Sequence, residues 1–87
     1  MFEAFFSDPD LIYRINVINS IDFYSLGFEM VRGETTAENM LQWPRKGEVA
    51  DVLVTNVQCP DMSGFELAET VRKYCPRVRV IFLADTP

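Results

Sequence analysis

The sequence has no histidine among its 87 residues. A serine or cysteine hydrolase of the triad type, an imidazole metal site and a phosphohistidine relay step all need that side chain, so each class is excluded. Cysteine is also scarce, since the chain has two, Cys59 and Cys75. They do not form a Cys-x-x-Cys pair and cannot complete a structural zinc site, so we expect reduced thiols in a cytoplasmic protein.

Long apolar runs and an excess of positive charge are missing too. The longest stretch without a charged residue, Val52–Pro60, is far too short to span a membrane. The chain opens with an acid, Glu3, and has no basic flank there, so no secretory signal is visible. Acidic residues outnumber basic ones by 13 to 8 and give a formal net charge of -5. This balance argues against nucleic acid or an anionic membrane as the main partner of this segment.

The residues that are present suit one small folded domain. Hydrophobic residues make up 48% of the chain and aromatic residues 13%, which is enough for a single core. No internal repeat, low-complexity tract or Gly/Ser linker divides the sequence. We therefore treat residues 1–87 as a single domain.

Apolar segments of two kinds alternate along the chain. Strands are predicted at residues 2–6, 28–32, 51–56 and 78–84. Helices are predicted between them, the first beginning at Asp8-Pro9, where the carboxylate would cap free N–H groups. The second should end near Trp43-Pro44, because proline disfavours a helical residue before it. The third has an apolar stripe made of Phe65, Leu67, Ala68, Val71 and Cys75, and residues 51–56 are predicted to form a central strand buried on both faces. This alternation with short connections implies an α/β fold, a parallel, doubly wound sheet with helices on both faces.

The candidate functional residues follow from this topology. In open parallel sheets, ligands bind beyond the carboxyl ends of the strands. Those ends carry Ser7 and Asp8 after the first strand, Asn56 after the third, and Ala84 and Asp85 after the fourth. We expect any site of this chain to include these side chains.

Two segments carry a resemblance to a known family. Residues 51–83, DVLVTNVQCPDMSGFELAETVRKYCPRVRVIFL, resemble the receiver domain of bacterial two-component response regulators. That family has a phosphoaccepting Asp four residues before a loop proline, and an x-Met-x-Gly turn opens its third helix. Residues 21–31, IDFYSLGFEMV, resemble the receivers fused to AraC-type helix-turn-helix domains. The resemblance implies a flavodoxin-like (CheY-like) fold with strand order 2-1-3-4, truncated to about four strands and three helices because the last helix-strand-helix is lacking.

The sequence departs from the family at its site positions. Asn56 stands where the family has its phosphoaccepting Asp, and Ser7-Asp8 replaces the acidic pair. Ala84 corresponds to the hydroxyl residue that follows the phosphoryl group in switching, and the family's lysine would lie beyond residue 87. The resemblance therefore implies a position 56 that does not accept phosphate. Its asparagine either locks one state of the domain or reflects simple loss of an ancestral site.

The donor set for a metal ion is poor. Mg²⁺ prefers several oxygen ligands, some of them anionic, and this chain offers Asp8, Asn56 and the carbonyl of Gln58. We expect no cofactor and weak Mg²⁺ binding at most. For Asp8, the role of a helix cap is favoured over that of a residual metal ligand. Cys59 has no histidine to act as its base and is expected to be a packing residue.

The function implied is that of a degenerate receiver module, a pseudo-receiver in two-component signal transduction that acts by protein contacts and is not an enzyme. Expected partners are a second copy of the chain, a histidine kinase or a DNA-binding regulator. Two alternatives stay open. The chain could be the N-terminal fragment of a DNA-binding transcriptional response regulator, or a small enzyme that uses the cleft at the strand ends. The enzyme needs a nucleophile or a metal, and neither is convincing here.

The fourth predicted strand suggests how the chain associates. Its residues Val80, Ile81, Phe82 and Leu83 are apolar on both alternating faces, as in a strand that is covered twice. In a sheet that ends at this strand, one edge and parts of both faces stay open. We therefore expect a homodimer with these four residues at its interface.

Overall fold

The computed structural model describes residues 2–84, in which four strands alternate with three helices. The elements are β1 (Phe2–Ser7), α1 (Leu11–Ser20), β2 (Phe28–Glu34), α2 (Ala37–Arg45), β3 (Val52–Asn56), α3 (Gly64–Tyr74) and β4 (Arg79–Leu83). The strands form one parallel sheet in the order β2-β1-β3-β4. The predicted α/β fold and strand order are confirmed. Asp85, named above as a strand-end residue, lies outside the described residues.

The hydrophobic core lies between one face of the sheet and the helices α2 and α3. Phe5 of β1 lies next to Leu53 of β3 in the strand register, and both side chains are buried. The helices contribute buried side chains to the same cluster, namely Met40, Leu41, Leu67, Ala68 and Val71. This packing fixes the two central strands relative to each other and thereby fixes the positions of the residues that follow them.

The opposite face of the sheet is only partly covered, by α1. A cavity of about 350 Å³ lies there, lined by Ala4, Phe6, Tyr13, Val17, Ile21, Phe23, Leu26, Phe28, Val52, Val54, Ile81 and Leu83. The expectation that β3 is buried on both faces is therefore right for Leu53 and wrong for Val52 and Val54, which border this cavity and are half-buried. Ile15 of α1 is likewise exposed, because this side of the sheet is not filled.

Two helix boundaries differ from the prediction. The N-cap of α1 is Asp10, whose Oδ1 accepts from the Tyr13 N–H at 2.9 Å, so the predicted cap at Asp8 is wrong. Either aspartate beside Pro9 can cap a helix, and the chain uses the second. The helix α2 continues through Pro44 to Arg45 instead of ending before the proline. Pro44 is buried, and this packing offsets the loss of one N–H donor in the last turn.

β4 is an edge of the sheet within residues 2–84, as expected, because it pairs with β3 alone. Ile81 is 52% exposed and Phe82 40% exposed, whereas Val80 and Leu83 are half-buried. Phe65 of α3 was predicted to face the core but is exposed and lies against Phe82. None of the helices within residues 2–84 has the length and apolar character needed to cross a membrane.

Candidate functional site

The candidate site forms where β1 and β3 end side by side. Ser7 and Thr55 are neighbours in the register of the two strands, so Asp8 and Asn56 follow them at the same edge of the sheet. All four side chains are buried, with at most 2% of their surface exposed. The structure thus brings together Ser7, Asp8 and Asn56, which lie far apart in the sequence.

Asn56 and Asp8 contact each other directly. The Asn56 Nδ2 donates to Asp8 Oδ2 over 3.4 Å, a long hydrogen bond between buried groups. The Asn56 Oδ1 accepts from the Gln58 N–H at 2.8 Å, and Asp8 Oδ1 accepts from the Asp10 N–H at 2.8 Å. The carboxylate of Asp8 is therefore solvated by N–H donors of the protein. A second carboxylate at position 56 would instead face Asp8 with like charge and would need a cation between them.

The residues at this site do not fit a Mg²⁺ ion well. Residues 2–84 contain no group of three His, Cys, Asp or Glu side chains placed to hold a metal. Gln58 forms a bridge with Ser63, and its own N–H is engaged by Asn56. Of the two hydrogen-bonded side chains Asp8 and Asn56, Asp8 alone is anionic. A hard divalent cation is usually held by more than one negative charge.

Ser7 and Ala84 flank the pair on opposite sides. The Ser7 hydroxyl is buried and has no hydrogen-bond partner within residues 2–84. Ala84 directly follows Leu83, which lies beside Asn56 in the register of β3 and β4. Its methyl side chain has no group that could donate to an anion, so this position cannot follow a phosphoryl oxygen by hydrogen bonding.

Close packing holds the loop after β3 against the start of α3. Ser63 caps the helix through its hydroxyl, which accepts from the Glu66 N–H at 3.1 Å. The Gly64 N–H donates to the Val57 carbonyl at 2.9 Å. A Cβ atom on Gly64 would stand 2.2 Å from the carbonyl oxygen of Asn56, which is backbone and cannot rotate away. Glycine at 64 is therefore what lets α3 approach the site.

Asp61 is a second anchor of this loop, and sequence analysis missed it. Its carboxylate accepts from the N–H groups of Ala37 at 3.0 Å and Glu38 at 2.9 Å. Thr36 caps the same helix through Asn39, so the three N–H groups at the start of α2 are all satisfied. The hydrogen bond from Glu38 is the main cause that lowers the pKa of Asp61. The bonding groups are more than twenty residues apart, so no local pattern reveals the contact.

Comparison with solved structures shows which known proteins share this fold. The fold matches an AraC-type two-component transcriptional regulator from Clostridium phytofermentans ISDg with 27% identity and a TM-score of 0.89, covering 99% of this chain and 68% of that one. It matches a BeF3-activated DrrB receiver domain with 24% identity and a TM-score of 0.74, covering 100% and 68% of the two chains. A receiver domain from the hybrid histidine kinase CckA matches with 18% sequence identity and a TM-score of 0.78. This match covers 98% of this chain and 86% of that one.

No protein-family model matches the sequence, and a search of curated proteins finds no match either. The resemblance seen in the sequence is nevertheless confirmed by the solved structures. The chain has the fold of response-regulator receiver domains, and it spans about two thirds of the length of the AraC-type regulator.

The approach of Gly64 to the site gives the first prediction. Replacing Gly64→Ala should lower the free energy of unfolding by about 1–3 kcal/mol, because the new methyl group overlaps the Asn56 carbonyl. Urea denaturation measures the change. Glu69→Ala, at an exposed position of the same helix, is the matched control and should stay near the parent value. Equal stability of Gly64→Ala and the parent would contradict the close approach.

The anchor at Asp61 gives the second prediction. Asp61→Ala should cost about 0.5–2 kcal/mol at neutral pH, because two helix N–H groups lose their acceptor. Asp61→Asn keeps one acceptor oxygen and should cost less. Asp61 is exposed, so solvent screens part of its charge effect.

The same anchor has a defined pH dependence. The folded state lowers the pKa of Asp61 below its ordinary 3.8, so the carboxylate stabilises the protein above that pH. The stabilisation is lost as the pH falls through the lower, folded-state pKa. Urea midpoints of the parent and Asp61→Asn should therefore differ at pH 7 and converge in strong acid. A difference that does not change with pH would contradict the role of the charge.

Proposed function

We propose that this chain is a degenerate receiver module of two-component signal transduction, a pseudo-receiver that acts by protein contacts without phosphotransfer. The observation that carries the proposal is the Asn56 amide, which donates to the buried Asp8 carboxylate at the end of β3. An amide has no anionic oxygen to attack a phosphoryl donor. The charge of Asp8 is balanced by donors of the protein itself, so the site needs no metal to be stable.

The groups around Asn56 support the same conclusion. A phosphoryl group in transfer carries negative charge on its oxygens, and catalysis depends on cations and N–H or O–H donors placed around it. The Ala84 side chain lacks a donor, and within residues 2–84 the charged side chain that bonds to Asn56 is the anionic Asp8. We therefore propose that the chain is not an enzyme and has no resident cofactor.

The partners proposed are proteins of the same signalling class. Among the solved structures of similar fold, one is RcsB bound to a promoter and another is a receiver domain from a hybrid histidine kinase. A DNA-binding regulator or a histidine kinase is therefore a reasonable partner class for this chain, with a cytoplasmic location. The net charge of -5 speaks against direct contact with nucleic acid by this segment. The surface proposed for contact with a second copy is β4, with Val80–Leu83.

A second candidate function is supported by a separate observation. The identity of 27% and TM-score of 0.89 to an AraC-type transcriptional regulator favour a chain that is the front part of a DNA-binding response regulator. The downstream reading frame separates the two cases, because a helix-turn-helix domain in frame would support the regulator. The strand-end enzyme considered above has no such support.

The third prediction tests phosphotransfer. Incubation with Mg²⁺ and acetyl phosphate should leave the intact mass of the protein unchanged, because Asn56 is not a nucleophile. Asn56→Asp should restore little labelling, since Ser7 and Ala84 do not supply the missing stabilising groups. A labile phosphate adduct that maps to the Asn56 loop of the parent would overturn the proposed function.

The fourth prediction concerns metal binding and uses Trp43 as the reporter. The Trp43 Nε1 donates to Glu34 Oε2 at 3.0 Å, and the Glu34 carbonyl accepts from the Asp8 N–H at 3.1 Å, which links the indole to the site. A Mg²⁺ titration of Trp43 fluorescence should give a dissociation constant on the order of millimolar or weaker. Asn56→Asp, with two carboxylates, should bind Mg²⁺ more tightly than the parent. Saturation at micromolar Mg²⁺ that disappears in Asp8→Ala would contradict this account.

A further inference from the structure

The C-terminal ends of α2 and α3 form one end of the helical layer, opposite the candidate site. In a parallel sheet each helix returns from the carboxyl end of one strand to the amino end of the next, so α2 and α3 run in the same direction. The two helices pack against each other, and Arg45 in the last turn of α2 bonds to the Tyr74 hydroxyl at the end of α3. Their ends therefore present one continuous surface, which lies away from β4.

This surface is basic although the chain as a whole is acidic. Of the eight basic residues of the chain, five lie here and are exposed, namely Arg45, Lys46, Arg72, Lys73 and Arg77. We call these five residues the basic end. Arg45 forms a salt bridge with Glu38, whereas the other four take part in none of the salt bridges found within residues 2–84.

Two acids lie near the basic end, and each already has another partner. Glu48 forms a salt bridge with Arg32 at 3.2 Å, and Asp51 Oδ2 accepts from the Glu3 N–H at 2.8 Å. Neither forms a salt bridge with the basic end within residues 2–84. The surface therefore keeps an excess of positive charge that the chain itself does not pair.

A mainly apolar cleft of about 310 Å³ lies beside these charges, lined by residues 49–51 and 74–77. Val49 and Tyr74 in its lining are 57% and 46% exposed. The Ala50 N–H donates to Cys75 Sγ at 3.5 Å, and both of these lining residues are buried. This contact ties the two segments together, so the cleft is already formed in the free chain.

We propose that the basic end and its cleft are a docking surface for an acidic segment of a partner protein, which places an apolar side chain in the cleft and its carboxylates against the cations. The inference rests on the proposed function, because it states what kind of protein makes the contacts proposed there. Arg77 lines the cleft and is the cation expected to bond directly to a carboxylate of the partner. The other cations attract the segment at longer range.

The chemistry of the surface favours an acidic protein segment over two other occupants. A nucleic acid is repelled by the net charge of -5, and its phosphates have no use for an apolar cleft. A second copy offers the acids Glu38 and Glu66 in the first turns of α2 and α3, at the opposite end of the layer. It could therefore bind the basic end only head to tail, in a contact that builds rings or open chains.

Helix stabilisation does not account for the whole surface. Cations in the last turn of a helix complement its dipole, and Arg45, Arg72 and Lys73 have such positions. Arg77 lies beyond the end of α3 and is not explained in this way. Removal of its charge should weaken docking and leave the stability of the helix unchanged.

Docking through this surface should be weak and sensitive to salt. Each exposed charge pair is expected to change the affinity by about two- to fivefold. Exposed charges are screened beyond about 10 Å at 0.1 M salt. The affinity should therefore fall steadily as the ionic strength is raised.

Fluorescence anisotropy with a labelled peptide tests the surface. The probe is a peptide in which two leucines lie between pairs of glutamates, and the control peptide has glutamine in place of each glutamate. The acidic peptide should bind saturably at micromolar concentration in low salt, and the control peptide should bind on the order of tenfold more weakly. Equal binding of the two peptides, tighter binding of single-stranded DNA, or no saturable binding of the acidic peptide would overturn the proposal.

Two variants with the same change of charge locate the contact. Val49→Glu puts a carboxylate in the lining of the cleft, and Asn39→Glu puts one at an exposed position near the start of α2. Val49→Glu should weaken binding of the acidic peptide on the order of tenfold, because it removes an apolar contact and adds like charge. Asn39→Glu should stay within about twofold of the parent. Equal losses in the two variants would overturn the proposal.

Arg77→Gln keeps the test valid if Val49→Glu does not fold. It should weaken binding of the acidic peptide by about two- to fivefold and leave the urea midpoint of the parent unchanged. An unchanged affinity would overturn the proposal. Light scattering adds the case of a second copy, since oligomers that grow with concentration and disappear in Arg77→Gln would overturn an acidic partner protein as the occupant.

The two proposals fail in different ways. A phosphate adduct on the Asn56 loop would overturn the pseudo-receiver function and would leave docking at the basic end intact. A failure of the acidic peptide to bind would overturn the docking surface and would leave the absence of phosphotransfer untouched.

Discussion

The parallel pairing of β1 with β3 is the contact on which the rest of the structure depends. Phe5 and Leu53 lie side by side in this pair and are buried under α2 and α3. A slip of one residue would turn both side chains to the other face of the sheet, so their burial fixes the register. The register in turn makes Ser7-Asp8 and Asn56 leave the sheet at the same place. The site is therefore a consequence of how the core is packed.

Asn56 decides what that site can do. Its amide is a donor to Asp8 and an acceptor for the loop, so it satisfies two neighbours without any bound ion. The loop that begins at Asn56 is further held by the approach of Gly64 and by the anchor from Asp61 to α2. A receiver that responds to phosphate needs a site that changes when its ligand binds. In this site Asn56 and Asp8 already bond to each other, and we propose on this ground that the domain acts through its surface and not through the chemistry of the site.

Much of the fold follows from the sequence because strands and helices leave different periods of apolar residues. The four strands were predictable from these periods, whereas the pairing order and the edge position of β4 were implied by the resemblance to receiver domains. Local patterns were insufficient where two residues compete for one role, as Asp8 and Asp10 do for the cap of α1. They also do not reveal contacts between distant segments, such as Asp61 with α2. Periodicity placed Phe65 on the apolar face of α3, but it does not tell how far the sheet extends beneath that face.

The most direct test of the account is an NMR titration of the parent protein with Mg²⁺ and beryllofluoride, a phosphoryl mimic that bonds to a carboxylate oxygen. The backbone amides of Gln58 and Gly64, which bond to Asn56 and Val57, report on the loop. The account predicts that these resonances stay unchanged, because position 56 carries a neutral amide that offers no such oxygen. Saturable shifts of both amides at stoichiometric beryllofluoride would contradict it.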